Sequence, residues 1–144
     1  MKTIYATVGA SGSGKSTWAK KFAQENDLEI VCPDSIRDRL SGGNEGDQSR
    51  NGEVFKIAAR ELISYLSKGQ SVCWDATSYN ESNRKLIYDL AKQFGAEIEW
   101  HVFNVPLDTL IKRQDLRDRK VPTWVIEKQV NGMTMPTTGK IVKH

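Results

Sequence analysis

Apolar positions along the chain follow two different spacings, and these spacings predict the order of the elements. Short runs rich in β-branched and aromatic residues predict strands. The predicted strands are residues 3–8, 28–32, 71–74 and 98–103. Apolar residues spaced three and four apart predict helices. The predicted helices are residues 15–24, 36–40, 53–68 and 81–94, with two more opened by Pro106 and Pro122.

The regular alternation of strands and helices is typical of an α/β protein. It predicts a parallel sheet of about four strands between layers of helices. Residues 41–52 contain four glycines and no apolar residue, which predicts a surface loop. The tail, residues 133–144, is expected to be irregular or to form a final extended piece. In sheets of this kind a ligand lies beyond the carboxyl ends of the strands.

Composition sets limits on the class of protein. The chain has 144 residues, 27% of them charged, and a formal net charge of +3, which fits one domain over residues 1–144. No apolar run approaches the ~20 residues of a membrane-spanning helix. Cys32 and Cys73 lie far apart, so we expect free thiols rather than a disulfide. A cytoplasmic location is therefore expected (the host cytoplasm if the gene is carried by a phage), with no membrane partner.

The first predicted turn carries a phosphate-binding motif. It matches G-x-x-x-x-G-K-[ST] in full, between a predicted strand and a predicted helix. In such a loop the backbone N–H groups point at phosphates, the lysine contacts the β- and γ-phosphates, and the hydroxyl is a Mg²⁺ ligand. ATP and Mg²⁺ are therefore the expected cofactors. The residues expected to bind them are Gly9, Ala10, Ser11, Gly12, Ser13, Gly14, Lys15 and Ser16.

Two carboxylates follow the next predicted strands at the same edge of the sheet. Asp34 can accept a proton from an attacking hydroxyl, and Arg37, three residues later, can hold an acceptor phosphate. A helix cap beside a surface arginine is the alternative. Asp75 occupies a position where a carboxylate reaches Mg²⁺ directly or through water, the alternative being a turn residue. Thr77 opens the loop that follows and is expected to contact the acceptor.

The segment 112–120 contains five basic and two acidic residues. One interpretation is an arginine-bearing helical lid, at about residues 107–132, that closes over ATP. The other is a solvated, salt-bridged helix face. Arg113 and Arg117 are four residues apart, so both are candidates for contact with ATP.

Four motifs now stand in order along the chain. They are Gly-Ser-Gly-Lys-Ser-Thr-Trp-Ala at 12–19, Asp-x-x-Arg at 34–37, Asp-Ala-Thr at 75–77, and Lys-Arg…Arg…Val-Pro within 112–122. Together they resemble the kinase module of phage-type 5′-hydroxyl polynucleotide kinases over residues 2–129. The resemblance implies a P-loop kinase with an adenylate-kinase-like sheet. No phosphatase domain follows the module in this sequence, so a 3′-phosphatase activity is not expected.

The resemblance also implies a role for each matching residue. Asp34 would be the general base on the 5′-OH, and Arg37 would hold the phosphate next to the acceptor nucleoside. Arg117 would be the lid arginine on the transferring phosphate. The ATP phosphates and the metal would be held by Lys15, Ser16, Thr17 and Asp75, with Ser16 and Asp75 on the metal side.

Three functions remain open on the sequence alone. The first is ATP-dependent phosphorylation of a 5′-OH end of DNA or RNA, with nucleic acid ends as partners. The second is phosphorylation of another hydroxyl, on a nucleoside, a small metabolite or a hydroxymethylated base in DNA. The third is an ATP-binding switch, which would need neither a base at Asp34 nor an arginine lid. Oligomeric state is not indicated by any pattern.

Overall fold

A computed structural model describes residues 2–40, 51–116 and 121–144. Within these ranges strands and helices alternate from the first strand onward. The strands are β1 (Thr3–Val8), β2 (Glu29–Val31), β3 (Val72–Trp74), β4 (Glu97–Val102) and β5 (Lys140–Lys143). The helices are α1 (Lys15–Glu25), α2 (Pro33–Leu40), α3 (Asn51–Ser67), α4 (Glu81–Phe94), α5 (Leu107–Gln114) and α6 (Thr123–Asn131).

The described strands form one parallel sheet in the order β2-β3-β1-β4-β5. β1 lies at the centre, paired with β3 on one side and with β4 on the other, from Thr3↔Glu97 to Val8↔Val102. Because all pairs are parallel, the carboxyl ends of the strands share one edge of the sheet. The predicted α/β fold is confirmed. To the predicted sheet of about four strands the tail adds β5 beside β4, which is the extended alternative expected for that segment.

The core lies between the sheet and its helices. β1 is buried along most of its length, and β3 is buried throughout, as expected for strands covered on both faces. Helices α3 and α4 each turn an apolar stripe onto the sheet. A second, smaller cluster joins Ala10 to Leu110 and Ile126, so α5 and α6 pack together beside the loop that follows β1.

Local signals placed several boundaries correctly. α4 begins after Asn80, whose side chain accepts a hydrogen bond from the Asn83 N–H at 2.9 Å. It ends at Gly95, whose φ of 64° gives the left-handed cap for which glycine is best suited. Trp18 and Phe22, four residues apart on α1, stack with ring centroids 4.7 Å apart. They pack α1 on the sheet, where the Trp18 ring also lies 4.1 Å from that of His101.

Some local expectations were wrong. Residues 51 and 52, predicted as loop, lie in the first turn of α3, while residues 41–50 of that predicted loop lie outside the described ranges. Helix α2 begins at Pro33, three residues before its predicted start, since proline is well suited to a first helical turn.

Candidate active site

The loop between β1 and α1 needs glycine at several positions. Gly12 and Gly14 have φ of 86° and 95°, the left-handed region that other residues avoid. Gly9 is needed for a different reason, because a Cβ there would lie 2.6 Å from the Ser13 Oγ and 3.0 Å from the Phe103 carbonyl oxygen. A turn is closed where the Ser13 N–H donates to the Ala10 carbonyl at 3.1 Å. The motif residues therefore form a tight backbone loop.

Lys15, the first residue of α1, lies deep in this loop. Lys15 is only 6% exposed. Within the described ranges its ammonium group makes no hydrogen bond and no ion pair. A cation that is buried without a counterion is costly. The Ser13 hydroxyl is likewise buried without a partner in the same ranges. The loop therefore offers an uncompensated positive charge and a free polar group to an anion.

The first turn of α1 adds to this positive site. Ser16 and Thr17 are exposed there, directly after Lys15. An α-helix directs its free N–H groups and the positive end of its dipole toward its N-terminus. The sequence placed these residues together correctly, and their geometry suits a phosphate chain.

Helices α5 and α6 brace the loop from outside. The Ser11 N–H donates to Gln129 Oε1 at 2.9 Å, and Arg113 Nη1 donates to the Gly12 carbonyl at 2.8 Å. Arg113 was expected to bind ATP, and in this structure it holds the loop backbone. Gln129 was missed, because a contact across 118 positions leaves no local pattern. Arg117 and its neighbours to residue 120 lie outside the described residues.

Asp34 and Arg37 face each other on the first turns of α2. Arg37 Nη1 donates to Asp34 Oδ1 as an i,i+3 ion pair. The Arg37 side chain is 7% exposed and that of Asp34 is 53% exposed. The pair therefore fixes an accessible carboxylate at the carboxyl edge of the sheet, next to a buried guanidinium.

Asp75 follows β3 and is held from two sides. Its N–H donates to the Val31 carbonyl at 3.0 Å, and its Oδ1 lies 3.5 Å from the Thr7 hydroxyl. The Thr7 hydroxyl donates to the Ala76 carbonyl at 2.7 Å and accepts from the Ala76 N–H at 3.0 Å. Thr7 was missed by the sequence analysis, although a threonine in a buried apolar strand is a detectable signal. It fixes the backbone on which Asp75 stands.

The carboxylate of Asp75 makes its surroundings negative. Burial raises the pKa of the Cys73 thiol to about 12, and the charge of Asp75 adds to that rise. Burial followed by Asp75 also raises the pKa of Cys32. Both cysteines are free thiols, as expected. The site therefore favours a cation near Asp75, at the edge where the phosphate loop lies.

Within the described ranges no group of three or more His, Cys, Asp or Glu residues could hold a metal ion. Mg²⁺ needs no such cluster, since it is commonly bound by one or two protein oxygens together with nucleotide phosphates and water. Ser16 and Asp75 are oxygen ligands of the kind it prefers. The buried Lys15 and the unpartnered Ser13 hydroxyl fit a polyphosphate beside it. The residues present thus fit ATP with Mg²⁺.

The backbone links the phosphate loop to the loop after β3. The Gly9 N–H donates to the Thr77 carbonyl at 2.9 Å, so Thr77 lies beside the P-loop. The sheet order places β3 between β1 and β2, so Asp75 and Thr77 follow the strand between the phosphate loop and Asp34. Of the predicted residues that the structure describes, those of the phosphate loop, Asp34, Asp75 and Thr77 therefore lie at one edge of the sheet. No described helix is long and apolar enough to cross a membrane.

The parallel sheet and the glycine loop define a P-loop α/β domain. The chain belongs to the AAA_33 family, described as an AAA domain, whose family model matches residues 4–137.

Three known proteins are similar to this chain in sequence or in fold. The chain is 29% identical over 136 residues to L-seryl-tRNA(Sec) kinase of Methanococcus maripaludis, covering 90% of this chain and 52% of that protein. It is 28% identical, with a TM-score of 0.74, to a chain in the Pnkp1/Rnl/Hen1 RNA repair complex, covering 91% of this chain and 43% of that one. A sugar kinase from Janibacter sp. HTCC2649 shares the fold at 18% identity and a TM-score of 0.73, covering 100% of this chain and 85% of that one. The chain thus spans about half the length of the curated relative that it matches.

Proposed function

We propose that this protein transfers the γ-phosphoryl group of ATP to the 5′-OH end of a nucleic acid. The observation that carries the proposal is the pairing of two features at one edge of the sheet. One is a buried, uncompensated lysine in a glycine loop, which fits a polyphosphate. The other is an accessible carboxylate fixed by a buried arginine, which fits an attacking hydroxyl and its neighbouring phosphate.

The donor side is assigned to the loop and to Asp75. Backbone N–H groups of the loop, with Thr17 and the Lys15 ammonium, would hold the phosphates and stabilise charge that develops on the transferring group. Mg²⁺, held by Ser16 and by Asp75 directly or through water, would neutralise charge on the phosphate oxygens. Arg113, close to the loop, and Arg117 are the proposed lid arginines.

The acceptor side is assigned to Asp34, Arg37 and Thr77. The Asp34 carboxylate takes the proton of the acceptor hydroxyl while the oxygen of that hydroxyl forms a bond to the γ-phosphorus of ATP. The bond from that phosphorus to the bridging oxygen of ADP breaks, and ADP leaves. Arg37 would bind the phosphate that follows the first nucleoside, which distinguishes a nucleic acid end from a free nucleoside.

The choice of a nucleic acid rests on two comparisons and on charge. One relative is an L-seryl-tRNA(Sec) kinase, and one structural neighbour is a chain of an RNA repair complex. The net charge of +3 is compatible with a polyanionic acceptor. A different hydroxyl, on a nucleoside, a sugar or a hydroxymethylated base, is the alternative.

The test is incubation of the purified protein with γ-labelled ATP and Mg²⁺ and a panel of acceptors. The panel contains 5′-OH DNA and RNA oligonucleotides, nucleosides, sugars and hydroxymethylated duplex DNA. We expect label at the 5′ end of an oligonucleotide. Label only on another acceptor would overturn the choice of acceptor, and label on none would overturn the phosphotransferase assignment.

The role of Asp34 is tested separately by Asp34→Asn. Loss of a general base lowers kcat by about 10²–10⁴-fold, while the dissociation constant for ATP should stay unchanged because Asp34 lies outside the loop. Asp89→Asn is the matched control, since Asp89 is an exposed helix carboxylate paired with Lys85 at 2.9 Å. A wild-type kcat in Asp34→Asn would remove it as the base.

A further inference from the structure

A cavity of about 450 Å³ opens between α3 and α4 at the carboxyl end of β3. Thr77 lines it, and the same residue accepts the hydrogen bond from the Gly9 N–H of the phosphate loop. The cavity therefore adjoins the site described above without containing its proposed catalytic residues. Its occupant would lie next to the transferring phosphate.

Two residues that line the cavity each carry a buried polar group that lacks a partner in the described part of the chain. Trp74 is 1% exposed and its indole Nε1–H has no acceptor, while Ser78 is 2% exposed and its hydroxyl has no hydrogen-bond partner. By contrast, the Nε1–H of Trp100, equally buried, donates to the Thr138 carbonyl at 2.8 Å. Buried hydrogen-bond donors nearly always have a partner in folded proteins, so the Trp74 Nε1–H and the Ser78 hydroxyl indicate a missing ligand.

The backbone at Ser78 supports this interpretation. Its φ is 45°, in the left-handed region that a serine rarely adopts. The Ser78 carbonyl accepts a bond from the buried Arg84 guanidinium at 2.8 Å, which helps to hold the conformation. Strained, fixed residues of this kind are found at ligand sites.

The lining chemistry indicates the kind of ligand. Phe55 is 39% exposed and offers an aromatic ring, and Ala59 and Leu86 add apolar walls. The indole Nε1–H can only donate, and no carboxylate lines the cavity among the described residues. The Ser82 hydroxyl and the Asn83 amide also line the cavity, so its lining offers both hydrogen-bond donors and acceptors. A flat heterocycle with carbonyl or ring-nitrogen acceptors fits both the walls and the donors.

We propose that this cavity binds the terminal nucleobase of the acceptor, with Trp74 Nε1–H and Ser78 Oγ hydrogen-bonded to its acceptor atoms and Phe55 against its ring. The inference rests on the proposed function, because it places the base of the nucleoside that carries the attacking hydroxyl. Trp74, Ser78 and Phe55 are then residues that determine acceptor specificity.

The direct test is the indole ¹H–¹⁵N signal of Trp74, assigned by its absence in Trp74→Phe. A short 5′-OH oligonucleotide is titrated beside one of equal length whose 5′-terminal nucleotide is abasic, so that charge is matched. We expect the Trp74 signal to move with the normal oligonucleotide and not with the abasic one. A signal that does not move, or that moves equally with both or with a sugar, would overturn the proposal.

Kinetics gives the second readout. The wild-type kcat/KM should fall about tenfold or more with the abasic acceptor. Trp74→Phe and Ser78→Ala should lower kcat/KM on the normal acceptor and leave that on the abasic acceptor unchanged. Trp100→Phe is the matched control, because it removes a partnered indole N–H away from this cavity and should leave the preference intact.

The two proposals fail in different ways. If the protein phosphorylates normal and abasic ends equally well, the nucleobase pocket is wrong and the kinase assignment stands. If oligonucleotides move the Trp74 signal but receive no phosphate, the pocket stands and the reaction is wrong. Equal losses on both acceptors in Trp74→Phe and Ser78→Ala would assign these residues a structural role and overturn the pocket.

Discussion

Gly9→Ala is the sharpest test of the phosphate loop, because the structure fixes what the added methyl group meets. The new Cβ would lie 2.6 Å from Ser13 Oγ, 3.0 Å from the Phe103 carbonyl oxygen and 3.1 Å from the Phe103 Cβ. The serine can rotate away, but the Phe103 backbone is held, since its N–H donates to the Val8 carbonyl at 2.8 Å. The loop itself must therefore shift.

The magnitude follows from the cost of overpacking, about 1–3 kcal/mol. With an unfolding entropy of about 2.1 cal/mol/K per residue, 144 residues give about 0.3 kcal/mol/K. A cost of about 2 kcal/mol then lowers Tm by roughly 7 °C. If the loop moves to relieve part of that strain, ATP binding must return the loop to its original conformation and so bring the strain back. The affinity for ATP falls by that free energy. We expect about tenfold weaker ATP binding, which corresponds to about 1.4 kcal/mol.

The assay pairs thermal unfolding with calorimetric titration of ATP and Mg²⁺. Gly69→Ala is the matched control, because Gly69 has φ of 76° and open space around it, at the opposite edge of the sheet before β3. Strain there costs about 1–2 kcal/mol, so Tm should fall while ATP binding stays unchanged. Adding Ser13→Ala to Gly9→Ala should recover only part of the loss. Wild-type ATP affinity in Gly9→Ala would refute the assignment of this loop to ATP.

Two further predictions concern stability. Arg84→Met should lower the free energy of unfolding by about 1–3 kcal/mol in urea titration, because it leaves the Ser78 and Thr134 carbonyls, which the fully buried guanidinium contacts at 2.8 and 3.0 Å, without that donor; an unchanged or higher free energy of unfolding would contradict this role. Burial lowers the pKa of His101 below its usual 6.5, although the Glu99 carboxylate opposes the shift. The unfolded chain then binds more protons just below pH 6.5, so stability should fall as pH drops from 7 toward 5. His101→Phe should flatten that slope in urea titrations across this range, and an unchanged slope would rule out His101 as its source.

Local patterns were sufficient for the elements and for the phosphate loop. The bounds of β1 and α4 were predicted to the residue, because their signals are short-range, as in the β-rich run of β1 and the glycine that follows α4. The Asp34–Arg37 pair was also predictable, since three residues separate them on one helix. Contacts of this kind depend on spacing alone.

Contacts set by packing were not predictable. Gln129 reaches Ser11 across 118 positions and Arg113 reaches Gly12 across 101, because α5 and α6 pack on Ala10 through Leu110 and Ile126. Arg84 is a charged residue on α4 that is fully buried, because its guanidinium donates to the Ser78 and Thr134 carbonyls. The tail forms β5 only because β4 offers it an unpaired edge.

Packing also explains why the indole N–H of Trp74, which has no acceptor among the described residues, is informative. Trp74 packs in the core, since it is 1% exposed on a strand whose residues are all buried. What the sequence could not show is that its indole N–H would end without an acceptor while the equally buried indole of Trp100 finds the Thr138 carbonyl. Since folding satisfied one indole on the sheet and left the other unsatisfied on a residue that lines a cavity beside the phosphate loop, the unsatisfied N–H is better explained by a ligand than by poor packing.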